Sequence, residues 1–224
     1  MKLPSTNSQS SGLTRIELLV VLVILVALAG LILPAFQHSH SHNRARRISC
    51  VNNLKQVALS FRISAVDNND SFPMQIADEK GGAKDSLARG EVFRVFLAMS
   101  NELSVPRTVL CPDDPRKAAT NWASLSNSNI SYFVGLDATN TRPNMILLGD
   151  RDLAENGQLL SGTVNLTTNR PVAWHKLLHK EGGNLLFADG SVQLTATLKF
   201  PGALTLRQQL ANTGDATNRV LFPQ

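Results

Sequence analysis

The apolar and polar positions of the chain fall into three stretches, and the first is the most distinctive. Residues 18–33 contain no charged or polar side chain. A helix of ~20 residues spans about 30 Å, the thickness of the hydrocarbon core of a bilayer, so the pattern predicts a transmembrane helix over residues 13–36. Thr14 and Glu17 have the Ser/Thr-x-x-Glu spacing of a capping box, which indicates the helix start. Pro34 removes one helical hydrogen bond and predicts a kink near the far end.

The second stretch is amphipathic. Apolar residues recur there at steps of three and four residues, the spacing of one helical face. They are Ile48, Val51, Leu54, Ala58 and Phe61. We expect residues 37–66 to continue the first helix as one long helix, which the turn formers of residues 67–70 end. Residues 1–12 are polar and without periodicity, which predicts a leader that is disordered or removed.

The third stretch, residues 67–224, alternates short apolar segments with turn formers and predicts one globular domain. Predicted strands are 130–134, 145–148, 184–188 and 191–195, with a strand end at 109–111, an edge strand at 218–222, and short helices at 91–99 and 204–210. Asp189-Gly190 joins two of these strands and is the strongest hairpin signal in the chain. The predicted fold class is α+β: a long N-terminal helix, membrane-embedded in its first half and amphipathic in its second, packed on a small antiparallel β-sheet domain.

Charge changes this picture only locally. The chain has 22 basic and 17 acidic side chains, and Arg44, Arg46 and Arg47 cluster just past the apolar run. Such a cluster fits anionic lipid headgroups. No nucleic-acid motif and no interleaving of aromatic and basic residues is present, so we expect no nucleic-acid partner. By the positive-inside rule, the three arginines would place residues 67–224 in the cytoplasm.

The two cysteines, Cys50 and Cys111, leave two interpretations open. If the globular domain lies outside the cytoplasm, they are candidates for a disulfide. Otherwise they are two free buried thiols, because cysteine is among the most buried residue types. Spacing alone does not decide between these, since a bridge requires the two Cα atoms within bonding reach.

Four residues of the globular domain are candidates for metal binding or acid–base chemistry. They are Asp150, Asp152, His179 and Asp189. Calcium is the cofactor that their carboxylates suggest, but their spacing does not match a twelve-residue calcium loop. We favour a structural interpretation, in which Asp189-Gly190 forms the hairpin turn and His179 hydrogen-bonds backbone near it. No nucleophile elbow or activated cysteine context is present, so we assign no catalytic residue, no metal and no enzymatic activity.

The amino-terminal pattern is similar to the cleavage and methylation signal of type IV prepilins. Gly12 is followed by Leu-Thr-Arg-Ile-Glu-Leu-Leu-Val-Val, with Leu13 and Arg15 at places where that family prefers phenylalanine and an apolar residue. The resemblance implies that a prepilin peptidase cuts after Gly12 and that Leu13 becomes the N-methylated amino terminus. It also matches Glu17, five residues past the cut, and Pro34 to residues of the assembly helix.

Three further segments resemble prepilin-type proteins with an H-x9-DG element. They are Cys50-Val-Asn-Asn-Leu-Lys-Gln56, Cys111-Pro-Asp-Asp-Pro115, and His179 followed after nine residues by Asp189-Gly190. The resemblance implies a pilin-like fold and a pseudopilin-like subunit of a type II secretion or type IV pilus-like system. Its partners would be a prepilin peptidase, other pilin or pseudopilin subunits and inner-membrane lipid. It implies a single-pass inner-membrane protein with its C-terminal domain in the periplasm or at the cell surface, opposite to the positive-inside expectation.

Glu17 is the residue on which the function depends. Leu13 and Glu17 are four residues apart and so lie on one helical face. A free ammonium at Leu13 would neutralise Glu17 in the same chain or in a neighbour, and pairing between chains in lipid would favour assembly. The simpler interpretation is that Glu17 only caps its own helix.

A different class of function also fits the amino terminus. Ala27-Leu28-Ala29 resembles a signal-peptidase site, so the chain can be read as a secreted or membrane-anchored periplasmic binding protein or enzyme with an ordinary signal sequence.

Overall fold

The structure is a computed structural model, and it describes residues 14–32, 38–179, 182–196, 204–214 and 218–224. The chain divides into two compact units, Met1–Arg44 and Ala45–Gln224, which are described separately. Gly12, Leu13 and Pro34, which carry much of the prepilin-like pattern, lie outside the described residues.

The first unit is dominated by α1 (Arg15–Ile32), which begins where the capping box predicts. Thr14 N donates to Glu17 Oε2 at 2.8 Å, and Glu17 N donates in return to Thr14 Oγ1 at 3.3 Å. These two bonds satisfy amide groups that have no partner within the helix. Among the described residues, we find no helix that is both long enough and apolar enough to cross a membrane.

The second helix, α2 (His38–Asp67), supplies the second unit with its longest apolar face. Its buried apolar residues are Cys50, Leu54, Val57, Ala58, Phe61 and Ala65. Ile48, placed on this face by the sequence pattern, is 54% exposed. The buried face is therefore rotated toward Cys50 and Val57. Beyond the helix end, Asn69 and Asp70 adopt φ values of 51° and 58°, a left-handed conformation that these residue types tolerate.

The remaining elements of the second unit are short. The helices are α3 (Lys84–Ala88), α4 (Phe93–Ala98), α5 (Ser100–Leu103) and α6 (Leu206–Asn212). The strands are β1 (Tyr132–Gly135), β2 (Ile146–Asp150), β3 (Leu153–Glu155), β4 (Gln158–Leu159), β5 (Gly162–Leu166), β6 (Val172–Trp174), β7 (Gly182–Phe187), β8 (Val192–Ala196), β9 (Leu204–Thr205) and β10 (Asn218–Phe222).

The strands form a curled seven-stranded sheet and a smaller three-stranded sheet. The order in the large sheet is β5-β10-β1-β2-β7-β8-β9, and that in the small sheet is β4-β3-β6. All pairs are antiparallel except β8–β9, which is parallel. Both faces of the large sheet are covered: Val134 joins the core that contains α2, whereas its neighbour Phe133 joins a second core with Leu210 and Phe222. Successive strand residues point to opposite faces, which explains this division.

The expected fold class, one long apolar-then-amphipathic helix on a small antiparallel sheet, is wrong. α2 is polar along most of its length and amphipathic only where it packs, and the sheet is large, curled and partly parallel. The difference arises in part because β3 to β6 are strands of only two to five residues, too short to give a recognisable strand pattern in the sequence. Two local predictions also fail. Residues 218–222 form an interior strand rather than an edge strand. Residues 109–111 form no strand; Val109 is the last residue of a 3-10 helix, Pro106–Val109.

Candidate functional site

A group of buried and half-buried charged side chains lies where α2, the loop that contains Cys111 and the large sheet meet. We call it the polar cluster, and it comprises Arg47, Asp113, Asp150, Asp152 and His179. The His179 side chain is 1% exposed and that of Asp150 is fully buried. Buried charges need partners, because leaving water is costly for an ionised group.

His179 is the centre of this cluster. Its Nδ1 lies 2.9 Å from Asp113 Oδ2, and its Nε2 lies 3.5 Å from Asp150 Oδ2. The same Nε2 is 3.4 Å from the sulfur of Cys111. We assign the Nδ1 proton to the hydrogen bond with the carboxylate of Asp113, an assignment that leaves the Nε2 lone pair facing Cys111 and Asp150. Burial lowers the pKa of His179, although the neighbouring Asp113 acts in the opposite direction.

A disulfide lies directly beside His179. Cys50 of α2 is bonded to Cys111, with their Cα atoms 5.0 Å apart. Both cysteines are fully buried. The bond fixes α2 to a loop 61 residues further along the chain, so it removes conformational freedom from the unfolded state over a long loop.

Asp150 is the last residue of β2, and Asp152 lies two residues beyond it. Asp150 Oδ2 accepts hydrogen bonds from Asn184 N at 2.7 Å and Asn184 Nδ2 at 2.9 Å, whereas Asp152 Oδ2 accepts from Leu178 N at 3.2 Å. Burial, followed by the nearby charge of Asp152, raises the pKa of Asp150 well above its usual range. Burial also raises the pKa of Asp152 to about 7. Both carboxyls therefore favour the protonated state more than an exposed aspartate does.

Arg47 brings positive charge to these acids from α2. Burial lowers its pKa, and the charges of Asp150, Asp113 and Asp152 oppose that effect. The chain leaves room for Arg47 at Gly182, where a Cβ atom would lie 2.6 Å from Arg47 Nη2. A Cβ here would displace the guanidinium, which is the end of a flexible side chain, and would also lie 3.1 Å from the carbonyl oxygen of Thr195.

A second buried ion pair supports the loop that carries Cys111. Arg151 Nε and Nη2 donate to the two oxygens of Asp114 at 2.7 Å and 2.8 Å. Ser131 Oγ donates to Asp114 at 2.8 Å and accepts from Cys111 N at 2.9 Å. Burial alone would raise the pKa of Asp114, but the hydrogen bonds from Arg151, Arg116 N and Ser131 hold it below its usual range.

The two ends of the H-x9-DG element have separate surroundings. Asp189-Gly190 forms the turn between β7 and β8, as the hairpin pattern predicts. Asp189 Oδ1 accepts from Ser191 N at 2.7 Å, and Gly190 has φ of 84°. His179, by contrast, does not hydrogen-bond the turn backbone as expected; it contacts the carboxylate of Asp113.

Of the four residues that the sequence suggested as calcium ligands, the structure brings Asp150, Asp152 and His179 into the polar cluster and places Asp189 in the turn between β7 and β8. Among the described residues, the only group of three or more histidine, cysteine or acidic side chains with ligand atoms close enough for one metal ion is Cys50, Cys111 and His179. The sequence reasoning missed Asp113 and Arg47 as neighbours of His179. The signal for Asp113 was its place two residues after Cys111, within the Cys-Pro-Asp-Asp segment.

No family model, curated protein or solved structure matches this chain.

Proposed function

We propose that this chain is a pseudopilin-like structural subunit, cleaved after Gly12, N-methylated at Leu13 and assembled through α1 in a type II secretion or type IV pilus-like system. The observation that carries the proposal is the exposure of α1. Leu18, Val23 and Leu28 are 63%, 66% and 49% exposed. At 3.6 residues per turn, these three side chains point in well-separated directions. A helix that is apolar on every side needs lipid or other apolar helices around it.

Glu17 gives this helix a polar contact at its amino end. Its carboxylate accepts from Thr14 N and, at 3.0 Å, from Thr14 Oγ1. Cleavage after Gly12 would place an ammonium at Leu13, four residues before Glu17 in the sequence. In an apolar assembly an unpaired carboxylate is expensive, so pairing with the ammonium of a neighbouring subunit favours association and fixes the register.

The disulfide supports an extracytoplasmic place for the globular unit. Disulfides persist in oxidising compartments such as the bacterial periplasm, and Cys50 and Cys111 are bonded in the interior of this unit. In the proposed arrangement α1 lies at the inner membrane, and Ala45–Gln224 lies in the periplasm or at the cell surface. The partners are then a prepilin peptidase, other pilin-like subunits and inner-membrane lipid.

N-terminal mass spectrometry of the protein from its native host tests the processing step. A methylated Leu13 at the amino terminus supports the proposal. A mature chain that begins at Gly30 supports the secreted binding protein or enzyme with an ordinary signal sequence. An intact Met1 supports a permanently anchored domain, and either of these last two results contradicts the proposal.

Three variants separate assembly from helix capping. Glu17→Ala removes both the charge and the hydrogen-bond acceptor, whereas Glu17→Gln keeps an acceptor for Thr14 N and removes only the charge. Thr14→Ala weakens the cap and keeps the charge. We expect both Glu17 variants to be cleaved normally but recovered at least tenfold less in cross-linked assemblies, with Thr14→Ala close to the parent. Equal recovery of Glu17→Gln and the parent would show that the carboxylate acts only as a cap.

A further inference from the structure

Three potential metal ligands meet inside the globular unit. The sulfurs of Cys50 and Cys111 and one ring nitrogen of His179 all lie within 4.8 Å of one another, and all three residues are buried. They come from three separate parts of the chain: α2, the loop after Pro106–Val109, and the segment before β7. Two thiolates and an imidazole form a donor set that prefers zinc to calcium or magnesium.

The orientation of His179 is that of a metal ligand. Metal-binding histidines commonly donate their other ring N–H to a carboxylate, which fixes the ring and raises its basicity. His179 Nδ1 lies 2.9 Å from Asp113 Oδ2. Its Nε2 faces Cys111 Sγ at 3.4 Å. When the cysteines are bonded to each other, Cys111 has no S–H proton to donate to this nitrogen.

One distance at Nε2 matches the edge of a tetrahedral zinc site. For a Zn–N bond of about 2.0–2.1 Å and Zn–S bonds of about 2.3 Å, neighbouring ligand atoms lie roughly 3.3–3.8 Å apart. Nε2 of His179 is 3.4 Å from Cys111 Sγ. Asp150 Oδ2 lies 3.5 Å from the same nitrogen, but Asp150 is not a member of the group whose ligand atoms all lie within 4.8 Å of one another. Only the two sulfurs must separate, from bonding distance to about 3.8 Å.

We propose that, when Cys50 and Cys111 are reduced, the chain binds one Zn²⁺ through their two thiolates and His179 Nε2, with the fourth tetrahedral position open to a small donor such as water. Two thiolates and one divalent cation leave no net charge in the buried site. The disulfide and the metal exclude each other because they use the same sulfur atoms. This inference does not depend on the proposed role in assembly.

The chemistry of the conversion is simple. A trialkylphosphine cleaves the S–S bond and is oxidised to the phosphine oxide, which takes its oxygen from water, and the two sulfurs become thiols. Zn²⁺ then displaces the two thiol protons without changing its own oxidation state.

The test uses the full chain in detergent micelles, reduced with a trialkylphosphine that is then removed without air. Zn²⁺ is titrated against a chromophoric chelator, and Co²⁺ serves as a spectroscopic probe. We expect one Zn²⁺ per chain for the reduced protein and none for the oxidised protein. Co²⁺ bound to the reduced protein should give intense visible bands together with separate thiolate-to-cobalt charge-transfer bands. The oxidised protein is a control of identical sequence.

Variants then assign the ligands. Cys50→Ser, Cys111→Ser and His179→Gln should each lose stoichiometric binding. Asp113→Asn should weaken Zn²⁺ binding about 10–100-fold, the usual effect of removing a carboxylate that orients a ligand. His175→Gln is the matched control, since His175 is the nearest other histidine in sequence and is not a member of this group.

Two results would overturn the proposal. The first is a reduced wild-type chain that binds no more Zn²⁺ than its oxidised form. The second is a His179→Gln variant that binds Zn²⁺ as tightly as the parent. Circular dichroism of each sample follows folding; a reduced chain that unfolds and refolds on addition of Zn²⁺ supports the site, and one that stays unfolded with Zn²⁺ contradicts it.

Discussion

The two units of the chain differ in which side chains they bury and which they expose. α1 exposes apolar side chains on every side, and its only polar contacts in the described structure are local, between Thr14 and Glu17. The globular unit encloses charged side chains such as Asp114, Asp150 and His179, and gives them partners from distant segments. The stability of α1 therefore depends on what surrounds it, whereas that of the globular unit depends on the pairing of charged side chains in its own interior.

The largest effect should follow from breaking the buried ion pair. Arg151→Leu leaves the fully buried Asp114 side chain without its bidentate partner, and removing one member of such a pair costs about 3–5 kcal/mol. Urea unfolding of the oxidised protein in micelles measures this loss of unfolding free energy. Arg219→Gln is the control, because Arg219 is 57% exposed and surface pairs contribute about 1 kcal/mol or less. Equal losses from both variants would show that Asp114 is not effectively buried.

The same variant has a defined pH dependence. The pKa of Asp114 lies below its usual range in the folded protein, so its contribution is present above the unfolded pKa of about 4 and is lost as pH falls through the folded pKa. We expect the difference in unfolding free energy between the parent and Arg151→Leu to narrow as pH falls below about 4. A difference that stays constant with pH would rule out this ionic contribution.

Truncation of one leucine in each unit tests the comparison directly. Leu54 is fully buried in the globular core, and Leu54→Ala should cost about 2–5 kcal/mol. Leu22 of α1 is 58% exposed, and Leu22→Ala should change the unfolding free energy of the globular unit by less than about 0.5 kcal/mol. Denaturant unfolding, followed by the fluorescence of Trp122 and Trp174, measures the change in unfolding free energy for both variants. A large effect of Leu22→Ala would mean that α1 stabilises the globular unit.

An overpacking variant tests the close approach of Arg47. Gly182→Ala places a methyl group against the guanidinium and should cost about 1 kcal/mol, the lower end of the usual overpacking cost, because the end of the Arg47 side chain can move. In an Arg47→Ala background the closest contact is removed and only Thr195 O, at 3.1 Å, remains, so the second substitution should cost less. Additive effects in this double-mutant cycle would contradict the contact.

The smallest effect concerns the helix cap. Thr14→Ala removes the hydroxyl that accepts from Glu17 N and should cost about 1 kcal/mol of α1 helix stability. Circular dichroism of a peptide covering residues 13–36 in micelles measures it, and Thr14→Ser is the conservative control. No difference between these two peptides would show that the cap contributes nothing there.

Local patterns predicted the elements whose signal is contained in a few residues. The capping box at Thr14 and the Asp189-Gly190 hairpin are confirmed, because their hydrogen bonds join near neighbours. The buried face of α2 was rotated in the prediction, since Ile48 and Val51 are as apolar as the residues that pack. The α-helical period alone does not decide which of two adjacent stripes is covered.

The sequence pattern could not predict which strands, or which side chains, pair across long stretches of the chain. β10 lies between β5 and β1, yet nothing within residues 218–222 distinguishes an interior strand from an edge strand. His179 meets Asp113 across 66 residues of sequence, and no periodicity links two single residues at that distance. The candidate site therefore became visible only when the fold placed three separate segments together.

The bond between Cys50 and Cys111 has a mechanical consequence. Tension applied to α2 from its amino-terminal side is carried at residue 50 by a covalent bond into the loop that contains Cys111. The helix therefore cannot be peeled from the sheet by a pull in that direction unless a sulfur–sulfur bond is cut. Under load, the strength of the globular unit is set at this point by chemistry rather than by side-chain packing.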